Sequence, residues 1–326
     1  MGPKQNRILG MDRADFTLFL KRYGIVFIML IMVAALAVSV PSFRTLNNAV
    51  SIMLQVATNG ILAMGMVFVI TAGGIDLSVG PLLALTSVMC GQIFDWQHGN
   101  VFLACLIPVL VTTLFGLING FLIAYFNIFP FVVTLATQLV ARGLAYLISG
   151  GYQKPITNLS FISIGTQRIF GILPIPGIVL ILVTILMYIL LHHTKFGRYI
   201  YATGGNINAA KASGVNVMSV RMMSFVLSGF CAGVAGVILT ARVSAAMPSI
   251  GTGYEGDAIA ACVIGGTSFA GGISTIPGTF VGIIIIGLIY NGMNMLQIST
   301  YWQTITKGLL IIGAVMLDMY VNKRRK

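Results

Sequence analysis

Apolar runs of about 20 residues, the length of a membrane-spanning helix, recur from Tyr23 to the C-terminus, and nothing else in the chain narrows its fold as far. They lie at about 24–40, 49–72, 79–95, 101–126, 129–149, 175–193, 221–243, 257–272, 276–297 and 302–321. Only 8% of the residues are charged and 57% are hydrophobic, against roughly 25% charged in a soluble domain. The expectation is an all-α polytopic membrane protein of about ten transmembrane helices. It divides into an N-terminal extension (1–22), a transmembrane domain (23–321) and a basic tail (322–326). Residues 1–22 are polar and charged and the run behind them is long enough to span, so the segment reads as a retained extension rather than a cleaved signal.

The net charge of +12 does not require a nucleic-acid partner. Most of the 19 basic residues fall in Lys4–Arg22, Lys195–Arg221 and Lys323–Lys326, segments that flank apolar runs. Basic residues in such places hold a loop in the cytoplasm. Six runs separate the first two segments and four separate the second from the third. Even numbers of crossings return every basic segment to one side, so both termini are expected in the cytoplasm. Glu255, Asp257, Asp95 and the loop of about 150–174 then face the other side. Cys90, Cys105, Cys231 and Cys262 lie in apolar stretches, where a thiol behaves as a small hydrophobe. His192 and His193 sit beside Lys195 with no cysteine or carboxylate adjacent. Neither set reads as a metal site, and no cofactor is expected.

Several runs are interrupted by glycine or proline, at Gly73-Gly74, Gly265-Gly266, Gly271-Gly272 and Pro277-Gly278. Non-helical backbone at membrane depth survives only where protein buries it or water reaches it. Two interrupted stretches echo each other, GMVFVITAGGIDLSVG at 65–80 and ACVIGGTSFAGGISTIPG at 261–278. Such an internal pseudo-repeat of glycine-broken helices points to a transport pathway at the interface of the repeats. Asp76 stands in the first break. A carboxylate there costs several kcal/mol unless it finds donors, and the N–H groups opening the next helix, with Ser78, are the nearest candidates. An architectural role with functional consequences is favoured over direct substrate contact. The other polar candidates for a pathway are Gln55, Asn59, Ser78, Asn119, Thr134, Thr137, Gln138, Asn291 and Asn294, amides and hydroxyls suited to a neutral, hydroxyl-rich solute. Each could equally serve as a hydrogen bond between helices. Arg142, inside the fifth run, is expected to snorkel or pair.

GGIDLSVG at 73–80 resembles the signature of permease subunits of ABC sugar importers of the ribose, allose, xylose and galactoside class. So do the longer stretches NNAVSIMLQVATNGILAMGMVFVITAGGIDLSVG (47–80), HHTKFGRYIYATGGNINAAKASGVNV (192–217) and GTGYEGDAIAACVIGGTSFAGG (251–272). The resemblance covers nearly all of the chain beyond its first 20 or so residues. It implies a permease homodimer in a bacterial cytoplasmic (inner) membrane, forming an alternating-access path for a monosaccharide. A cytoplasmic ATP-binding subunit and a periplasmic or extracellular sugar-binding protein would complete the importer.

The segment 204–215, GGNINAAKASGV, suits a short helix with small residues on its surface and a closing glycine. By the resemblance it is the element that couples to the ATPase, with Gly204, Gly205, Asn206, Ala209, Ala210 and Gly214 as its candidate residues. By local pattern alone it is an ordinary cytoplasmic turn. The chain has no Gly-Lys dipeptide and so no P-loop for ATP. It is read as a transport subunit rather than an enzyme, since no Ser/His/Asp set or H-E-x-x-H motif appears either. An ion-coupled secondary transporter using Asp76 is the competing reading. It would need further intramembrane carboxylates or a charge relay, and Asp76 is nearly alone.

Overall fold

A computed structural model describes residues 13–96 and 99–323. It is almost wholly helical: α1 (Arg13–Ser39), α2 (Leu46–Thr71), α3 (Val79–Trp96), α4 (Val101–Tyr125), α5 (Pro130–Ser149), α6 (Leu159–Thr166), α7 (Ile175–His193), α8 (Lys195–Gly205), α9 (Ile207–Ala212), α10 (Val217–Val243), α11 (Tyr254–Ile264), α12 (Ile276–Met295) and α13 (Thr300–Lys323). Two short antiparallel pairs, Lys154–Pro155 with Ala245–Ala246 and Arg168–Ile169 with Leu173–Pro174, tie loops together.

Helices α2 and α10 form the centre. Each is mostly buried, whereas α4 and α5 present most of their surface outward, with Phe102, Leu114, Phe121, Leu139 and Leu147 exposed. Apolar side chains on that outer face suit lipid, which exerts no hydrophobic pull on one helix toward another. Close backbone packing has to supply the cohesion instead, and α4 and α10 show how. Gly116 of α4 faces Gly229 of α10, while Gly120, four residues on, lies against the Met222 backbone and Gly233 against Val109 and Thr112. A Cβ on Gly116 would lie 2.3 Å from the Phe225 carbonyl oxygen, and one on Gly229 2.3 Å from that of Thr112. The helices meet backbone to backbone, and no element pair is more extensively packed than this one.

Among the described residues six helices, α2, α4, α5, α7, α10 and α12, are long and apolar enough to cross a membrane. The apolar parts of α1 and α3 are shorter, Gly24–Ser39 and Val79–Phe94. Of the about ten transmembrane helices expected, six are thus clear from length and apolarity among the described residues. The clearest departure is the run 257–272. Its helix, α11, has 11 residues, about 16 Å at 1.5 Å per residue and half a hydrocarbon core. It stops at Gly265 and Gly266, the latter at φ +88°, and residues 265–275 continue without helix to the start of α12. The first break behaves similarly, α2 ending at Thr71 and Gly73 turning the chain at φ +82°. At the N-terminus, residues 13–22 continue α1 as helix, while 1–12 lie outside the described residues, as do 324–326 of the tail.

The bundle has two ends. The C-termini of α2 and α7, the N-termini of α10 and α12, and α8 and α9 share one. The C-terminus of α12 and the N-termini of α11 and α13 share the other with α6.

Candidate functional site: two polar clusters and a glycine joint

Asp76 is fully buried, and its carboxylate is saturated by three donors. Ser78 gives its backbone N–H at 2.9 Å and its hydroxyl to Oδ1, and the Ser228 hydroxyl reaches Oδ2 at 2.7 Å. The bond from Ser78 N–H closes an Asx turn that delivers the chain into α3. Ser228 stands on α10, so one side chain fastens the break to the central helix. The network then runs outward. Asn119 of α4 donates to Ser78 Oγ at 3.2 Å, Thr137 of α5 donates to Asn119 Oδ1, and the Thr134 hydroxyl lies 3.2 Å from the Ile75 carbonyl oxygen. Five of the sequence candidates, Asp76, Ser78, Asn119, Thr134 and Thr137, thus converge on one network joining α4, α5 and α10 to the first break. Gln138, half-buried on α5, stands outside it.

A second cluster forms around Asp257. Asp257 of α11 is buried, and Lys307 of α13 pairs with its Oδ2 at 2.8 Å. Tyr290 of α12 donates to Oδ1 at 2.8 Å, and Asn59 of α2 lies 3.4 Å from Oδ2. A small crevice between α2, α11 and α12 is lined by Gln55, Asn59, Asp257 and Tyr290 among apolar neighbours. Asn59 Oδ1 is buried with no protein partner. Nearby, Asn291 donates to Asn48 at 2.8 Å, and the exposed Asn294 accepts from Gln303. Arg142 neither snorkels nor meets a carboxylate at bonding distance. Its guanidinium donates to the carbonyls of Pro248 and Ile250 at 2.6 and 3.0 Å, holding the loop ahead of α11.

The 204–215 segment is two elements. Gly204 and Gly205 end α8, and Asn206 caps α9 by accepting from the N–H groups of Asn208 and Ala209 at 3.0 Å each. Gly214, at φ +79°, closes α9 as its pattern suggested. Ala209 is exposed but Ala210 is buried at 3% exposure, packed into its own chain. Gly204 also faces inward, and a Cβ there would lie 1.7 Å from the Thr71 carbonyl oxygen and 2.5 Å from Gly272 N.

The chain matches the family of branched-chain amino acid transport system permease components over residues 48–315. It is 42% identical to the ribose import permease protein RbsC of Bacillus subtilis over 310 residues, 94% of this chain and 95% of the relative. It is 40% identical to the ribose import permease protein RbsC of Haemophilus influenzae over 91% of this chain and 93% of the relative. The D-allose transport system permease protein AlsC of Escherichia coli is also 40% identical, over 95% of each chain. The chain belongs to this permease family. No solved structure matches it.

In this permease the residues that sequence reasoning passed over as site candidates are Asp257, Tyr290, Lys307 and Ser228. Lys307 lies in the last apolar run and Asp257 at the start of another. An acid and a base at membrane depth signal pairing, since each is costly alone. Ser228 carried no such signal, because serine is common on α10 and only the fold shows which one meets Asp76.

Proposed function

We propose that the permease is the transmembrane subunit of an ATP-driven importer for a monosaccharide of the ribose or allose class. What carries this reading is near-full-length similarity, about 40% identity, to permeases named for ribose and allose import. The crevice of Gln55, Asn59 and Tyr290 around Asp257 supports it, because amides, a phenol and a carboxylate are the groups that pair with sugar hydroxyls. We assign the sugar contacts to this crevice rather than to the Asp76 network, because only here does a lining group, Asn59 Oδ1, lie buried without a protein partner. The competing ion-coupled reading gains no support, since Asp76 is spent on architecture.

The topology fits the same picture. Ten passages follow if α11 and the non-helical 265–275 together make the eighth, with both termini and the α8–α9 segment in the cytoplasm. The exposed face of α9 around Ala209 then receives the ATP-binding subunit, a sugar-binding protein docks at the opposite end, and two permease copies pair. Reporter fusions after Asn206 and Lys326 should read as cytoplasmic and one after Gln153 as external. The deciding experiment is uptake of labelled ribose, allose and leucine into vesicles carrying the permease, its ATPase and the binding protein. Sugar uptake that requires ATP supports the reading. Leucine uptake would move the substrate class, and sugar uptake driven by an ion gradient without the ATPase would overturn it.

A further inference from the structure

Three backbone segments meet at Gly204 with no side chain between them. The N–H of Gly272, in the connection before α12, donates to the Thr71 carbonyl at the end of α2 at 2.9 Å. Gly204 of α8 lies against both atoms, so closely that a methyl group does not fit. Side chains frame the contact. Thr71 donates to Ser274 Oγ at 2.7 Å, and the Tyr201 hydroxyl, on α8, donates to the Ser274 carbonyl at 2.9 Å. Burial raises the pKa of the Tyr201 phenol, so it stays a donor. The N–H of Ile276, which opens α12, lies 3.4 Å from His192 Nε2 at the end of α7, and Phe196 of α8 stacks on Phe68 of α2. Both glycine breaks of the internal echo, which a sequence reading can only set side by side, thus meet on one helix.

The two helices seated here reach the far cluster. Along α2, Thr71 and Asn59 are 12 positions apart, and along α12, Ile276 and Tyr290 are 14 apart, about 18 and 21 Å at helical rise. Asn59 and Tyr290 are two of the three groups that hold Asp257, with Lys307. We infer that Gly204 is a positioning residue for transport: its bare backbone clamps α8 to the ends of α2 and the α12 connection, so that displacement of the ATPase-facing α9 moves both helices as one body and opens the Asp257 cluster. This rests on the proposed docking of an ATPase at α9.

The test compares Gly204→Ala with Gly143→Ala, an equally small change at an exposed α5 position where a Cβ meets nothing within 4 Å. Each is reconstituted with the ATPase and binding protein, and ATP hydrolysis, sugar uptake and ATPase co-purification are measured together. Gly204→Ala should keep the ATPase bound and hydrolysing while uptake per ATP falls at least tenfold, and Gly143→Ala should match the parent. Uptake per ATP in Gly204→Ala within twofold of the parent overturns the inference. So does loss of co-purification in parallel with uptake, which would make Gly204 part of the docking surface. If Gly204→Ala does not reach the membrane, Tyr201→Phe decides. It removes one hydroxyl and should lower uptake per ATP about threefold or more at normal abundance, and unchanged coupling there overturns the clamp. Failure of the unaltered permease to bind any ATPase would instead sink the reading on which the inference depends.

Discussion

Asp76 shows why one acid is tolerated in so apolar a setting. Its cost is met by three short donors from two elements, and its removal would leave two hydroxyls and an amide without their acceptor. A hydrogen bond to a charged group contributes about 1.5–3 kcal/mol, and groups left unsatisfied add to the loss. Ser228→Ala, which deletes one donor, should lower unfolding stability in detergent by about that amount. Asp76→Asn should lower it further, because the amide nitrogen presents donors to donors. Thermal or denaturant midpoints of the purified permease check this order. Equal stability of Asp76→Asn and the parent would place the residue outside the architecture and return it to the pathway. The break and the need for donors were legible in GGIDLSVG itself. The identity of Ser228 was not, since it lies 152 positions away.

At the scale of elements, what sequence shows well is length and apolarity, and what it hides is whether an apolar stretch is helical. The run 257–272 is as apolar as its neighbours, yet half of it is non-helical backbone. Burial within the protein permits that, and composition does not reveal it. The packing of α4 on α10 was open to reading from the two four-spaced glycine pairs. Gly116→Ala or Gly229→Ala should force the helices apart and lower the thermal midpoint, while Gly143→Ala, on a free helical face, should leave it unchanged or raise it, alanine being the better helix former. The segment proposed to meet the ATPase divides by the same logic. Ala209→Glu places a charge on the exposed face of α9 and should abolish ATPase co-purification with abundance retained. Ala210→Trp must displace the chain's own packing, and reduced abundance is its expected signature. Co-purification intact in Ala209→Glu would move the docking surface away from α9.

Across the whole molecule the glycine joint at Gly204 and the Asp257 cluster are separated along α2 and α12. Helices α2 and α12 touch both, so the proposed coupling between the two would run along them. In the Asp257 cluster the decisive feature is an ion pair taken largely out of water, Asp257 at 5% and Lys307 at 20% side-chain exposure. Breaking a buried pair from one side costs about 3–5 kcal/mol, because the surviving charge is stranded, whereas removing both charges is often tolerated. Asp257→Asn and Lys307→Met should each destabilise the permease, and the double variant should recover much of the loss. Uptake should behave differently. If Asp257 contacts the sugar, the double variant remains defective in transport although its fold is restored, and a double-mutant cycle on stability and on uptake separates the two roles. Recovery of uptake together with stability would show the pair to be a structural brace alone and would leave Gln55 and Asn59 as the groups on which sugar recognition has to rest.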